Sequence, residues 1–226
     1  MQVRKMFNNI ARKYDLLNRM LSFGIDSYWR KAAIRELQIH RPKTILDIAC
    51  GTGDFSFAAL RLYPERITGI DISEEMLEIG RKKCVENNLA HVITFQQGDA
   101  ESLQFPDHHY DAVIVAFGVR NFENLQAGLQ EMHRVLKGGA PICILEFSKP
   151  KIFPVKQVFN FYFKTICPLI GRLISKDARA YSYLYESVRN FPEGDAFLAQ
   201  LRKAGYKNTS SKRLTFGVCS LYTAVK

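Results

Sequence analysis

Apolar residues near the N-terminus fall at helical spacing. Ile10, Tyr14, Leu17 and Leu21 lie three or four apart, which predicts helix across residues 6–40 with a break at Ser22-Phe23-Gly24. Pro42 ends that pattern, and from Lys43 short apolar runs alternate with longer amphipathic ones. Thr44–Ala49 reads as a buried strand, residues 54–63 as helix and Arg66–Ile72 as a second strand. Ser73 opens the next helix as an N-cap, with Glu74 and Glu75 in its first turn. His91–Gln96 and Tyr110–Phe117 follow as strands three and four, the latter apolar throughout and therefore central. Residues 123–136 read as a helix ended by Gly138-Gly139, and Pro141–Phe147 as strand five.

The alternation then stops. Residues 149–190 form an aromatic, basic, mostly helical insertion, with Tyr181, Tyr183 and Tyr185 two apart, a spacing that fits either a strand or a helix entry. Residues 195–204 read as helix, and Tyr206–Arg213 with Phe216–Val225 as a hairpin. Strands alternating with helices imply an α/β fold, a doubly wound and mostly parallel sheet of seven strands. Its ligand lies at the carboxyl ends of the strands. One domain is expected over 1–226, with an N-terminal helical segment at 1–42 and a helical lid at 149–190.

Composition narrows the classes. The 226 residues are 47% hydrophobic and 24% charged, as in an ordinary globular protein. Five cysteines, none in a CxxC pair, argue for a reducing cytoplasm rather than a disulfide framework. The five histidines lack metal-ligand spacing, so no metal is expected. The start of the chain lacks the apolar core of a signal peptide, and no run of about 20 apolar residues exists to span a bilayer. The net charge of +10 is concentrated at 1–31 and 149–179, each with seven basic residues. In the second stretch the charges are threaded among Ile152, Phe153, Val158 and Phe161. That mixture fits a peripheral contact with the inner face of a cytoplasmic membrane better than a nucleic-acid groove.

The chemistry centres on Leu46-Asp47-Ile48-Ala49-Cys50-Gly51-Thr52-Gly53-Asp54, at a strand-to-helix turn. Gly51 and Gly53 permit the turn and a close backbone approach by a ligand. Asp71 ends the next strand at the distance expected of a ribose-binding carboxylate. A nicotinamide dehydrogenase shares this plan, but Ser56 stands where its third glycine belongs. A turn that binds nothing is the other alternative. The D-x-x-C-G-T-G-D string instead resembles the cofactor motif of class I S-adenosylmethionine-dependent methyltransferases, which often have Gly where this chain has Ala49. Such enzymes place an acid on the adenine amino group at the end of strand three. Here that acid is Asp99, although a turn or cap role would also explain it.

Four further strings are similar to the ubiquinone/menaquinone biosynthesis C-methyltransferases. They are Tyr14–Trp29, Phe117-Gly118-Val119-Arg120-Asn121, Arg134–Ala140 with Leu145–Pro150, and Tyr181–Val188 with Phe191-Pro192. Asp26, Gly138 and Ala140 depart from that family's pattern, and Ala116 replaces a serine that touches cofactor in relatives. Carried over by position, the resemblance implies cofactor contacts from Asp47, Gly51, Thr52, Gly53, Asp71, Ile72, Asp99, Ala100 and Ala116.

The resemblance also implies S-adenosylmethionine as cofactor and a polyprenyl quinol as substrate, with the insertion as a tunnel for its tail. Demethylmenaquinol is preferred over a benzoquinol. Arg120 is the first catalytic candidate, holding a water or pairing with a phenolate, since a guanidinium does not serve as base. Asp15 and Tyr185 are further candidates. An RNA-modifying methyltransferase would explain the charge, but the Asn/Asp-Pro-Pro-aromatic motif of amino-methylating enzymes is missing after strand four. A non-catalytic subunit would be expected to have lost the glycine turn or Asp71. A homodimer is left open.

Overall fold

A computed structural model of the protein describes residues 4–8, 11, 19, 22, 24–166 and 178–226, without the side chains of 178–182. Helix α1 (Asp26–Leu37) precedes strand β1 (Thr44–Ile48), α2 (Asp54–Ala59), β2 (Arg66–Asp71), α3 (Glu74–Glu86), β3 (Ile93–Gln97) and β4 (Ala112–Ala116). Then follow α4 (Leu125–Val135), β5 (Pro141–Phe147), α5 (Val155–Phe161), α6 (Ala178–Asn190), α7 (Asp195–Lys203), β6 (Lys207–Leu214) and β7 (Cys219–Val225). The expected strands are all present, most with bounds moved by one or two residues. Tyr14, Leu17 and Leu21 fall outside the described residues.

The seven strands run in the order β3-β2-β1-β4-β5-β7-β6. β1 through β5 pair in parallel, and β7 inserts antiparallel between β5 and β6. The sheet is therefore mixed, and the C-terminal hairpin expected from the sequence supplies the antiparallel part. Strand order reverses between β1 and β4, the position at which open α/β sheets form a ligand crevice.

Alternation along each central strand distributes side chains to two cores. Ile45, Ala112, Ile114, Cys143 and Leu145 pack beneath α1, α2 and α3. Leu46, Ile48, Val113, Val115, Ile142 and Ile144 pack against α4 and α7, where Phe197 and Tyr222 are fully buried. Trp29 joins α1 to the hairpin: its Nε1 donates to Thr215 Oγ1 at 2.7 Å and its ring meets Phe117 and Phe147. The edge strand β6 is mostly exposed and carries Lys207, Lys212 and Arg213, charges that discourage pairing with another sheet.

Local caps agree with the sequence. Ser73 Oγ accepts from the Met76 amide at the start of α3, and Asn124 Oδ1 accepts from Ala127 at the start of α4. In the insertion, Tyr183 and Tyr185 lie on a helix, which settles the ambiguity of their spacing. Phe159 and Phe163 are buried, whereas Ile152, Phe153, Val158 and Phe161 are exposed.

β1 ends in strained backbone, for Ala49 holds φ at +52°. An L-residue with a Cβ pays about 1 kcal/mol or more in that region, and glycine pays nothing comparable. Ala49→Gly should therefore raise Tm by about 2–4 °C in a thermal melt. A lowered Tm would mean that packing of the Ala49 methyl outweighs the strain.

Candidate active site

The turn after β1 is built from three left-handed residues, Ala49, Gly51 and Gly53, with φ of 52°, 57° and 88°. The Cys50 amide donates to Ile70 O at 3.0 Å and the Gly53 amide to Cys50 O at 2.9 Å, so the turn is tied to β2 and to itself. Gly53 has no room for a side chain: a Cβ there would lie 2.4 Å from Phe95 Cζ. Beneath the turn Asp47 is 1% exposed and accepts a 2.5 Å bond from Ser56 Oγ, while its Oδ1 has no partner. Burial pushes its carboxyl from 3.8 up to about 7, against the opposing hydrogen bond from Ser56 and charge of Arg30.

Asp71 ends β2 beside the turn. Its Oδ2 accepts from the Gly51 amide and its Oδ1 from the Ser73 amide, each at 2.9 Å. Burial raises its carboxyl, and the amides of Ser73, Gly51 and Ile72 oppose that rise. Each oxygen retains a lone pair for a ligand hydroxyl. At this edge lies a cavity of about 550 Å³, within the range of small-molecule sites.

Gly51, Asp71, Ile72, Asp99, Ala100 and Ala116 line the cavity. Asp47, Thr52 and Gly53 do not: Asp47 lies beneath the turn, and Thr52 and Gly53 are its residues turned away from the cavity. Thr52 is buried and accepts from Lys83 Nζ through both its carbonyl and its Oγ1, at 3.3 and 3.1 Å. Asp99 Oδ1 accepts from the Glu101 amide at 2.9 Å, a turn role compatible with a free second oxygen. Arg4, Phe7 and Met76 also line the cavity, and no motif in the sequence marked them. The cavity's residues fit S-adenosylmethionine: a carboxylate for vicinal hydroxyls, a glycine turn open to close approach, and an acid at the far end.

The acceptor edge is formed by the loop after β4. Phe117, in left-handed backbone, and Asn121 line the cavity, but the side chain of Arg120 does not. Arg120 is only 7% exposed at its side chain, and its Nη1 pairs at 2.8 Å with Glu146, which is fully buried. The same nitrogen donates to Phe117 O, and the guanidinium lies 5.5 Å from the Phe147 ring centroid. Burial raises the Glu146 carboxyl, and Arg120 opposes the rise. Arg120, expected from its string to meet the substrate, has its charge committed to Glu146 in the folded chain.

Asn121 Nδ2 also lies 3.5 Å from Phe117 O, and its Oδ1 accepts from Tyr183 OH at 3.1 Å. Both stand in strings that carry the family resemblance, but nothing in those strings marks them as the side chains at the cavity edge. Tyr185 is partly buried against Phe159, Phe163 and Val188 and does not line the cavity. Asp15 lies outside the described residues.

Comparison with known proteins places this site in context. The model of the ubiE/COQ5 methyltransferase family matches residues 1–226. A demethylmenaquinone methyltransferase of Bacteroides fragilis is 48% identical over 100% of this chain and 92% of its own. A ubiquinone/menaquinone biosynthesis C-methyltransferase of Geotalea daltonii is 42% identical over 100% of this chain and 96% of its own. Among solved structures, a SAM-dependent methyltransferase of Thermotoga maritima, titled a possible histamine N-methyltransferase, superposes with a TM-score of 0.68. It is 19% identical and covers 98% of this chain and 99% of its own, a likeness of fold.

Asp47 generates a pH prediction. Its folded value of about 7 lies above the ordinary 3.8, so folding favours the neutral acid. That contribution is present below pH 3.8 and is lost as pH rises through about 7. Urea unfolding of the protein and of Asp47→Asn should show the unmodified chain losing stability relative to the variant across that window. The difference should level off above it. Parallel profiles would show that Asp47 titrates as an ordinary carboxyl.

Proposed function

The chain belongs to the ubiE/COQ5 methyltransferase family, and we propose that it methylates a ring carbon of demethylmenaquinol, a polyprenylated quinol. It is an S-adenosylmethionine-dependent enzyme. The substrate reading follows the Bacteroides fragilis relative, a demethylmenaquinone methyltransferase. The observation that carries it is the convergence of Gly51, Asp71 and Asp99 with the Phe117–Asn121 loop on one cavity.

In this reading Asp71 takes the ribose hydroxyls and Asp99 the adenine amino group. Ile72, Ala100 and Ala116 line the space between. Asp47 supports the turn from beneath, and Thr52 and Gly53 complete it. The bound cofactor supplies a methyl group already activated on sulfonium, so the protein's task is chiefly alignment. A quinol ring carbon becomes nucleophilic as a ring hydroxyl gives up its proton, and the site must stabilise the resulting phenolate. Asn121 is a polar side chain at that edge and orients the hydroxyl, held by Tyr183. Arg120, neutralised by Glu146, fixes the Phe117 carbonyl and so the loop that presents Asn121. Tyr185 and the rest of α6 wall the tail's path.

A polyprenyl tail places the substrate in a bilayer, while no helix among the described residues is long and apolar enough to cross one. The exposed face of the insertion is the proposed contact with the inner surface of the cytoplasmic membrane. Phe153 is 77% exposed and Phe161 62%, beside exposed Lys151, Lys156 and Lys164. Apolar side chains insert shallowly while each lysine near anionic lipid contributes about 1 kcal/mol.

Asp71→Ala should weaken S-adenosylmethionine binding by about 1.5–3 kcal/mol in calorimetry, the range for hydrogen bonds to charged groups. Unchanged affinity removes Asp71 from the ribose. With labelled cofactor and both quinol classes, label should enter the demethylated naphthoquinol. Incorporation into the benzoquinol alone would move the assignment to ubiquinone biosynthesis, which the name of the Geotalea daltonii relative also covers.

Replacing Lys151, Lys156 and Lys164 together by Gln should reduce binding to anionic liposomes while sparing activity on a short-tailed quinol. No binding by the unmodified chain at low salt would require a carrier for the substrate.

A further inference from the structure

One buried cation stands near the cofactor turn without lining the cavity. Arg30, on α1, is 9% exposed. Its Nη1 donates to Asp26 Oδ2 at 2.5 Å, and Asp26 Oδ1 accepts from Ser22 Oγ at 2.7 Å. Its Nη2 lies 3.6 Å from Asp54 Oδ2. Asp54 is the first residue of α2, directly after the turn, and its other oxygen lies 3.1 Å from Lys83 Nζ. Lys83 in turn holds Thr52 by carbonyl and hydroxyl.

Charges of alternating sign thus run from α1 to the middle of the turn. Two further buried atoms are left over: Arg30 Nε and Asp47 Oδ1 have no hydrogen-bond partner. A buried guanidinium is costly unless its charge is matched. Here the matching acids are Asp26, one turn earlier on α1, and Asp54, which begins α2.

We propose that Arg30 is a positioning residue for S-adenosylmethionine, setting the Gly51-Thr52-Gly53 turn through Asp54 and so coupling α1 to cofactor binding. The inference rests on the cavity being the cofactor site. Without Arg30 the Asp54 carboxylate loses one of its two cations, and α2 loses its electrostatic tie to α1. Asp47 also loses the positive charge that opposes its protonation. The turn can then relax without any loss of a direct ligand contact.

The test is calorimetric titration of the full chain with S-adenosylmethionine, using Arg30→Gln, Asp54→Asn, the double variant and Arg30→Lys, with melts of each in the absence of cofactor. Each of the first two should weaken affinity about tenfold, and the double variant little more than the weaker single, because the pair acts as a unit. Arg30→Lys should recover part of the loss by retaining the charge. A folded Arg30→Gln chain with unmodified affinity, or losses that add in the double variant, would overturn the proposal. If Arg30→Gln fails to fold, Asp54→Asn decides, and full affinity there refutes the coupling. No binding by the unmodified chain would instead refute the cofactor site, and the proposal with it.

Discussion

Asp47 accepts a 2.5 Å hydrogen bond from Ser56 Oγ beneath the turn between β1 and α2, and the ligand edge of the sheet is arranged around that bond. It fixes the first turn of α2 against the strand it leaves. With that distance set, Ala49, Gly51 and Gly53 reverse the chain in left-handed backbone, and the Gly51 amide reaches Asp71 on β2. A carboxylate so deeply buried is unfavourable in isolation. Burial favours the neutral acid, and the hydrogen bond from Ser56 and the charge of Arg30 oppose that shift only in part. The turn is therefore a structure under electrostatic tension, and its groups divide into those that face the cavity and those that hold it from behind.

The same division recurs on the acceptor side. Arg120 and Glu146 form a buried ion pair whose geometry leaves no charge for a substrate. Breaking such a pair exposes the survivor to a desolvation penalty of about 3–5 kcal/mol. What the pair supplies is placement: Arg120 holds the carbonyl of Phe117 and the loop presents Asn121 to the cavity, with Tyr183 of α6 behind it. Cofactor side and acceptor side each have a lining layer that faces the cavity, backed by buried charges that do not. The lining can then approach a ligand closely while the backing keeps it rigid.

The insertion shows a different partition. Phe159 and Phe163 stack inward with Met76 of α3, while Phe153, Val158 and Phe161 remain outside among lysines. One face closes the core beside the cofactor turn. The other has no covering element among the described residues, which is the ground for assigning it to a lipid surface.

Much of this was legible before folding. Apolar runs of strand length between glycine and proline located the central strands, because a strand buried on both faces must be apolar throughout. The glycine turn and Asp71 were visible because left-handed backbone and a strand-end acid leave local marks in the sequence. Four strings in order sufficed for the family.

Which polar residues face the ligand was not legible. Arg120 and Asn121 are neighbours in one string, and only the position of Glu146 on β5, twenty-six residues on, turns the arginine into the wall and leaves the asparagine at the cavity. Asp47 and Asp71 likewise end as one buried prop and one cavity acid, because strand alternation sends Asp47 to the face covered by Ser56 and Arg30. Sequence determined which groups are present and where along each element they stand. Tertiary structure alone decided which charges neutralise one another, because the partners that bury or pair a side chain come from elements distant in the chain.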